Sequence, residues 1–126
     1  MTPAAFRRLA LSLDGAVEQQ HMNHPDFRVR GKIFATLDYP DKRWGMVKLT
    51  PELQQQFVAA APEVFRPVPG GWGTKGATYV NLAAATDKTL RPALEAAWLA
   101  ASLSGLKPSA RTKKSTRRNA KTKGAR

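Results

Sequence analysis

Cationic side chains are the residues of this sequence best suited to chemistry, and one group of them follows a strict alternation. In the stretch 27–37, the odd positions carry apolar residues or glycine, whereas the even positions begin with Arg28, Arg30 and Lys32. Side chains alternate between the two faces of a β-strand, so a single strand over this stretch presents its cations on one face. Such a face can contact the phosphates of a nucleic acid.

A second group of cations lies at the C-terminal end. Of the 21 Lys and Arg residues, nine fall within 107–126 together with no Asp or Glu, which gives this segment a charge of +9. The other 106 residues hold the remaining 12 cations and all 9 acids, for a net charge of +3. The sequence therefore divides into a nearly neutral body and a basic tail.

The composition of residues 107–126 predicts a disordered segment. Val, Ile, Leu, Phe, Tyr and Trp are absent after Leu106, so little apolar surface is available to offset the entropy lost on ordering. Basic tails of this kind bind nucleic acid without reading its sequence; a tail that only aids solubility is the alternative. The predicted phosphate contacts in the tail are Arg111, Lys113, Lys114, Arg117, Arg118, Lys121 and Lys123.

Other chemistries lack the residues that they need. The absence of cysteine excludes disulfides, thiolate metal sites and a cysteine nucleophile, and it favours a reducing cytoplasm as the location. His21 and His24 have the spacing of metal ligands but no third ligand nearby. The glycines of 70–76 do not complete a phosphate-binding pattern, and no hydrolase signature surrounds the serines. We expect no catalytic residue, metal or cofactor, and no enzymatic activity.

The elements that must position these residues follow from hydrophobic periodicity and from Pro and Gly signals. Thr2-Pro3 and Thr50-Pro51 each predict the start of a helix. The predicted helices are 3–13, 51–61 and one that begins between 86 and 89 and ends at 105. The predicted strands are 17–22, 27–37, 44–49, a stub at 64–65, and 77–82, with a loop at 67–76.

This order predicts an α+β fold. Antiparallel strands that each have one apolar face are most simply covered by helices on that face, so we expect a two-layer sandwich in the order α-β(3)-α-β(2)-α. The domain is predicted to span 1–106 and the disordered basic tail 107–126. The longest apolar run, at 96–101, has six residues, so we expect no membrane association.

The sheet face without helices is predicted to combine cations with aromatic rings. Such a face suits nucleic acid, because phosphates bind cations and unstacked bases stack on aromatic rings. Its predicted members are Arg28, Arg30, Lys32, Phe34, Trp44, Met46, Lys48, Tyr79 and Asn81. The same face could instead form a homodimer contact through Phe34, Trp44 and Met46.

Several segments resemble the MmcQ/YjbR-like family. They are 15–18, the stretch 24–35 with its Phe-x-Val-x-Gly-Lys-x-Phe element, 48–52, 62–65, and the pair Ala97-Trp98. The resemblance covers about residues 3–104 and implies a two-layer α+β domain similar to secretion chaperones. It also implies the family's usual label, DNA binding.

Two functions are therefore expected from the sequence. The first is a non-enzymatic nucleic-acid binding protein, with DNA as the partner, that uses the tail together with Arg28, Arg30, Lys32 and Lys48. The alternative is a protein-interaction or chaperone-like module that uses the open sheet face, with a protein partner or a second copy of itself.

Overall fold

The computed structural model describes residues 1–105 and places four helices and six strands along them. In chain order these are α1 (Pro3–Leu11), β1 (Val17–His21), β2 (His24–Val29), β3 (Lys32–Leu37), β4 (Trp44–Lys48), α2 (Pro51–Ala60), β5 (Phe65–Pro67), α3 (Gly71–Thr74), β6 (Ala77–Asn81) and α4 (Asp87–Gly105).

Helices α1 and α2 begin with the same capping arrangement, as the Thr-Pro pairs predicted. Thr2 Oγ1 accepts a hydrogen bond from the backbone N–H of Ala5 at 3.1 Å, and Thr50 Oγ1 accepts one from Leu53 at 3.2 Å. Each threonine has extended backbone, and proline follows at a position whose N–H needs no helical partner. Both helices end one or two residues before the predicted limits.

The six strands form one antiparallel sheet in the order β1-β2-β3-β4-β6-β5. Successive strands from β1 to β4 are neighbours, whereas β6 lies between β4 and β5. Residues directly opposite each other share a face, so the register assigns each side chain to one side of the sheet.

One face of the sheet carries the helices and the apolar core. Phe27, Ala35 and Val47 stand opposite one another across β2, β3 and β4, and all three are buried. Helices α1 and α4 contact these strands, and Phe57 of α2 meets Phe65 of β5 with ring centroids 5.5 Å apart.

Two close contacts hold α1 and α4 in place, one against the sheet and one against the connection between α1 and β1. Gly45 allows the close approach of Phe6, because a Cβ at this glycine would lie 2.8 Å from a ring carbon of Phe6. The half-buried Trp98 of α4 donates from Nε1 to the carbonyl oxygen of Asp14 at 2.8 Å.

The single strand predicted over 27–37 is wrong, because the chain reverses within it. Strands β2 and β3 form a hairpin in which Val29 stands opposite Lys32, and Arg30 and Gly31 make the turn. Both turn residues have positive φ, 53° and 78°. A two-residue hairpin turn needs such values to match the right-handed twist of its two strands. Four strands rather than three therefore precede α2.

A β-bulge next to this turn explains why the alternation looked unbroken. A two-residue turn places Val29 and Lys32 on one face, so even positions of β3 start on the face that odd positions of β2 occupy. The pairing then skips Phe34, since Phe27 stands opposite Ala35 while Arg28 stands opposite Ile33. The two changes of parity cancel, and odd positions face the core again from Ala35 onward.

The predicted α+β class and the antiparallel sheet with helices on one face are confirmed, as is the alternation of helices and strand groups. The predicted loop 67–76 contains the short helix α3. The predicted basic tail, 107–126, lies outside the described residues, and the domain boundary at 106 stays a prediction.

Candidate nucleic-acid interface

A row of polar, aromatic and cationic side chains crosses the face of the sheet opposite the helices, which we call the open face. The register places one residue of each strand directly beside the next, in the order Gln19, Asp26, Thr36, Met46, Tyr79 and Arg66. The row runs from a polar group at β1 and β2 to aromatic and cationic groups at β6 and β5.

A buried carboxylate organises the polar end of the row. Asp26 has no exposed surface, and its two oxygens accept hydrogen bonds from Arg28, from Nε at 2.8 Å and from Nη2 at 3.1 Å. His21 Nδ1 lies 2.7 Å from Asp26 Oδ2. Burial raises the pKa of Asp26, but the hydrogen bonds and charges of Arg28 and His21 outweigh burial and hold this pKa below its ordinary value.

Aromatic rings continue the row toward β6. The ring centroid of Tyr79 lies 5.8 Å from that of Trp44 and 6.3 Å from that of Tyr39, and the Tyr39 ring meets the His24 ring edge-on at 5.3 Å. Burial and the neighbouring Tyr39 raise the pKa of the Tyr79 hydroxyl, so this hydroxyl is neutral at physiological pH.

Two cations stand over the tryptophans at the border of this aromatic region. Arg66 Cζ lies 4.9 Å from the centroid of the Trp44 ring, and Lys48 Nζ lies 5.6 Å from that of Trp72. Both distances are within the range of cation–π attraction. A cation next to an exposed ring can bind a phosphate while the ring carries the adjoining base.

The comparison with protein families decides the identity of the fold. The YjbR family model matches residues 11–100. The chain belongs to the YjbR family. The resemblance drawn from the sequence segments is thereby confirmed for most of the YjbR domain.

A solved structure agrees with this assignment. The YjbR domain is similar to the crystal structure of the Deinococcus radiodurans protein DR2400, a DUF419 protein, with a TM-score of 0.70 and 18% identity over 86% of this chain and 83% of that chain. At this identity the likeness concerns the fold. The search of curated proteins returned no match.

The structure disperses the cations that the sequence placed on one face of the YjbR domain. Arg28 lies on the open face, where its charge is balanced by Asp26. Arg30 is exposed in the β2–β3 turn. Lys32 is exposed at the start of β3, on the side of the helices, and lines a shallow groove with the α4 residue Ser104. Lys48 lies two residues after Met46 in β4 and therefore shares the open face with it.

Phe34 was wrongly placed on the open face. It is the extra residue of the bulge, has no exposed surface and packs in the core. Trp44, Met46, Tyr79 and Asn81 do share the open face, since Trp44 pairs with Asn81 and Met46 with Tyr79.

Four residues of the open face and its border were not predicted from the sequence, namely Asp26, Tyr39, Arg66 and Trp72. Asp26 and Arg66 alternate with core residues in strands and were detectable by parity alone. Tyr39 and Trp72 lie in connections, and nothing in the local sequence pattern predicts that these connections fold toward the open face. The tail residues Arg111, Lys113, Lys114, Arg117, Arg118, Lys121 and Lys123 lie outside the described residues.

Residues 1–105 contain neither a membrane-spanning helix nor a cluster of potential metal ligands. None of the described helices is long and apolar enough to cross a membrane. Within the same range, His, Asp and Glu do not gather in groups of three or more that could hold a metal ion.

Proposed function

We propose that this YjbR protein binds nucleic acid, DNA in particular, as a non-enzymatic protein of the cytoplasm. The observation that carries the proposal is the pairing of cations with rings on the open face, Arg66 with Trp44 and Lys48 with Trp72. This arrangement offers phosphate contacts and stacking surfaces side by side, as a single strand or a locally opened duplex requires.

The charge distribution supports different roles for the tail and the open face. Residues 107–126 carry +9 and would supply most phosphate contacts, whereas the body carries only +3. Arg28 is neutralised by Asp26, so Arg66 and Lys48 are the cations of the open face best placed to act on phosphates. The tail would therefore provide affinity and the open face would provide position.

A binding titration with charge-matched variants tests the contribution of the open face. Replacing both Lys48 and Arg66 by Gln should weaken binding of labelled single-stranded DNA and lower the slope of log affinity against log salt by about 1 to 2. The matched control replaces Lys88 and Arg91 by Gln, since both lie exposed at the start of α4 on the helix side. Equal weakening in the two variants would contradict a specific role for the open face.

A protein partner is the second candidate, and a specific observation favours it. Three large apolar side chains around the open face are exposed, Met22 by 85%, Trp72 by 64% and Tyr39 by 43%. Exposed apolar groups that lie together often mark a protein contact. Salt separates the two functions, because an apolar contact persists at salt concentrations that abolish phosphate binding. Sedimentation of the protein alone at high salt tests the homodimer.

A further inference from the structure

Two neighbouring recesses on the open face share Trp72 as a common wall. The first has a volume of about 450 Å³, and its lining includes His24, Thr36, Tyr39, Met46 and Tyr79 together with Trp72. The second has a volume of about 530 Å³ and is lined by Lys48, Lys75, Gly71 and Leu49 among others, again with Trp72. One recess is thus aromatic with a polar floor, and the other is cationic.

The polar floor of the first recess contains two side-chain atoms that lack hydrogen-bond partners. Thr36 Oγ1 and His24 Nδ1 are both buried, and neither finds a partner among the described residues. A buried polar atom without a partner costs free energy, so a bound group that supplied the missing hydrogen bond would be stabilised there. Thr36 and His24 both line the recess, so rotation of either side chain would bring its unpaired atom into contact with a ligand there.

The rim of the first recess includes the β1–β2 turn. Met22 lines the recess with 85% of its surface exposed, and its φ of 50° lies in the left-handed region. Asn23, the next residue of this β1–β2 turn, has a φ of 68° and is a type that tolerates this region, whereas Met22 is not. These φ values are those of a two-residue hairpin turn, as at Arg30 and Gly31, and the turn leaves the apolar Met22 side chain exposed beside the recess, where it can cover a bound ligand.

We propose that these two recesses bind one nucleotide, with its base in the aromatic recess and its phosphate in the cationic recess. The inference rests on the proposed nucleic-acid function, which it deepens by naming the unit recognised. Trp72 would stack on the base, Thr36 and His24 would contact the polar edge of the base, and Lys48 and Lys75 would bind the phosphate.

The size and chemistry of the recesses select a nucleotide over a purely apolar ligand. Volumes of about 450 and 530 Å³ are each within the usual range of roughly 300 to 1,000 Å³ for small-ligand sites. A hydrocarbon would fill the aromatic recess but would leave Thr36 and His24 without partners. A base has both a flat ring to stack and an edge with donors and acceptors, and its phosphate matches the two lysines.

The experiment titrates the full chain with three probes at one physiological salt concentration. The probes are a labelled single strand, the same sugar-phosphate strand without bases, and the separate nucleoside 5′-monophosphates. The variants are Trp72→Ala and Thr36→Val, and Leu99→Ala of α4 is the control for loss of an exposed apolar side chain. Thr36→Val removes a hydroxyl that has no partner, so it should not lower the melting temperature.

The expected result is a loss of about tenfold in single-strand affinity for Trp72→Ala, with a smaller loss for Thr36→Val and none for Leu99→Ala. The strand without bases should bind more weakly than the normal strand and should be insensitive to Thr36→Val. The proposal is overturned if both variants bind the single strand and the monophosphates as the unmodified protein does.

The probes separate failure of this inference from failure of the proposed function. Salt-sensitive DNA binding that no recess variant alters would retain the proposed function and overturn the nucleotide site. Binding of monophosphates without any binding of strands, if weakened by Trp72→Ala, would support the site and assign it to free nucleotides, while contradicting nucleic-acid binding.

Discussion

Asp26 is the residue on which the polar part of the open face depends. It is fully buried in the sheet, yet it lies on the face without helices, where strand parity alone would predict a solvated side chain. Arg28 and His21 supply the hydrogen bonds that offset the cost of burying its charge. Removal of the carboxylate charge should therefore destabilise the domain and release Arg28.

The lowered pKa of Asp26 makes the stability of the domain dependent on pH. Above the ordinary Asp pKa of about 3.9, the carboxylate is charged in both folded and unfolded states, and its stabilisation is fully present. As pH falls below that value, the unfolded chain binds the proton first, and the stabilisation is lost as pH passes through the folded pKa. Urea unfolding should show lower stability at about pH 3 than at about pH 6.

The comparison of Asp26→Asn with Asp41→Asn isolates this effect. The hydrogen bond from Arg43 lowers the pKa of Asp41 as well, but Asp41 and Arg43 pair near the surface, where solvent screens their interaction. Asp26→Asn should remove more of the pH dependence than Asp41→Asn does. An Asp26→Asn variant with the full pH dependence of the unmodified protein would show that other groups cause it.

At the scale of elements, the β2–β3 hairpin determines which side chains reach the open face. Arg30 occupies the left-handed region with a φ of 53°, which is costly for a residue with a long side chain. Arg30→Asn should stabilise the domain by roughly 0.5 to 1 kcal/mol, because Asn-Gly is the preferred pair of this turn. The checks are a higher melting temperature and a higher urea midpoint.

A control variant separates the effect of the turn conformation from the loss of a positive charge. Arg8→Asn removes the same charge type from an exposed position of α1 and should be neutral or slightly destabilising, since Asn is a poorer helix former. A loss of stability for Arg30→Asn greater than that for Arg8→Asn would contradict the hairpin and favour a continuous strand.

The same hairpin shows how far the sequence predicts the elements. The helix starts were predictable because Thr2 and Thr50 act locally, through hydrogen bonds three residues away. The reversal at Arg30 was not, because the turn lacks asparagine and the bulge at Phe34 restores the alternation on its far side. The alternation of apolar residues shows only whether odd or even positions face the core. The turn and the bulge each exchange odd for even, so together they leave the alternation unchanged.

The candidate site was partly predictable for the same reason. Trp44, Met46 and Tyr79 lie in regular strands, where parity assigns the face correctly. Tyr39 and Trp72 reach the open face through irregular connections, whose path is set by tertiary packing. Lys48 was predicted from its strand position, whereas Arg66 comes to lie over Trp44 because the sheet order places β5 beside β6, two strands from β4.

At the scale of the whole molecule, most of the net positive charge lies outside the part of the chain that the structure describes. The family match ends at residue 100, and the described helices, strands and core end at or before residue 105. Nine of the 21 cations follow residue 106. Sequence-independent affinity for nucleic acid should therefore depend on the tail, whereas discrimination between single-stranded and duplex DNA should depend on the YjbR domain.

The salt dependence of duplex DNA binding tests the central claim most directly. Nine tail cations that neutralise about six phosphates predict a slope of log affinity against log salt near −5 for the full chain. A chain truncated after residue 106, with folding checked by thermal melting, should lose most of that slope and keep a weak preference for single strands. Equal slopes for the full and truncated chains, or no duplex binding by the full chain at low salt, would contradict the account.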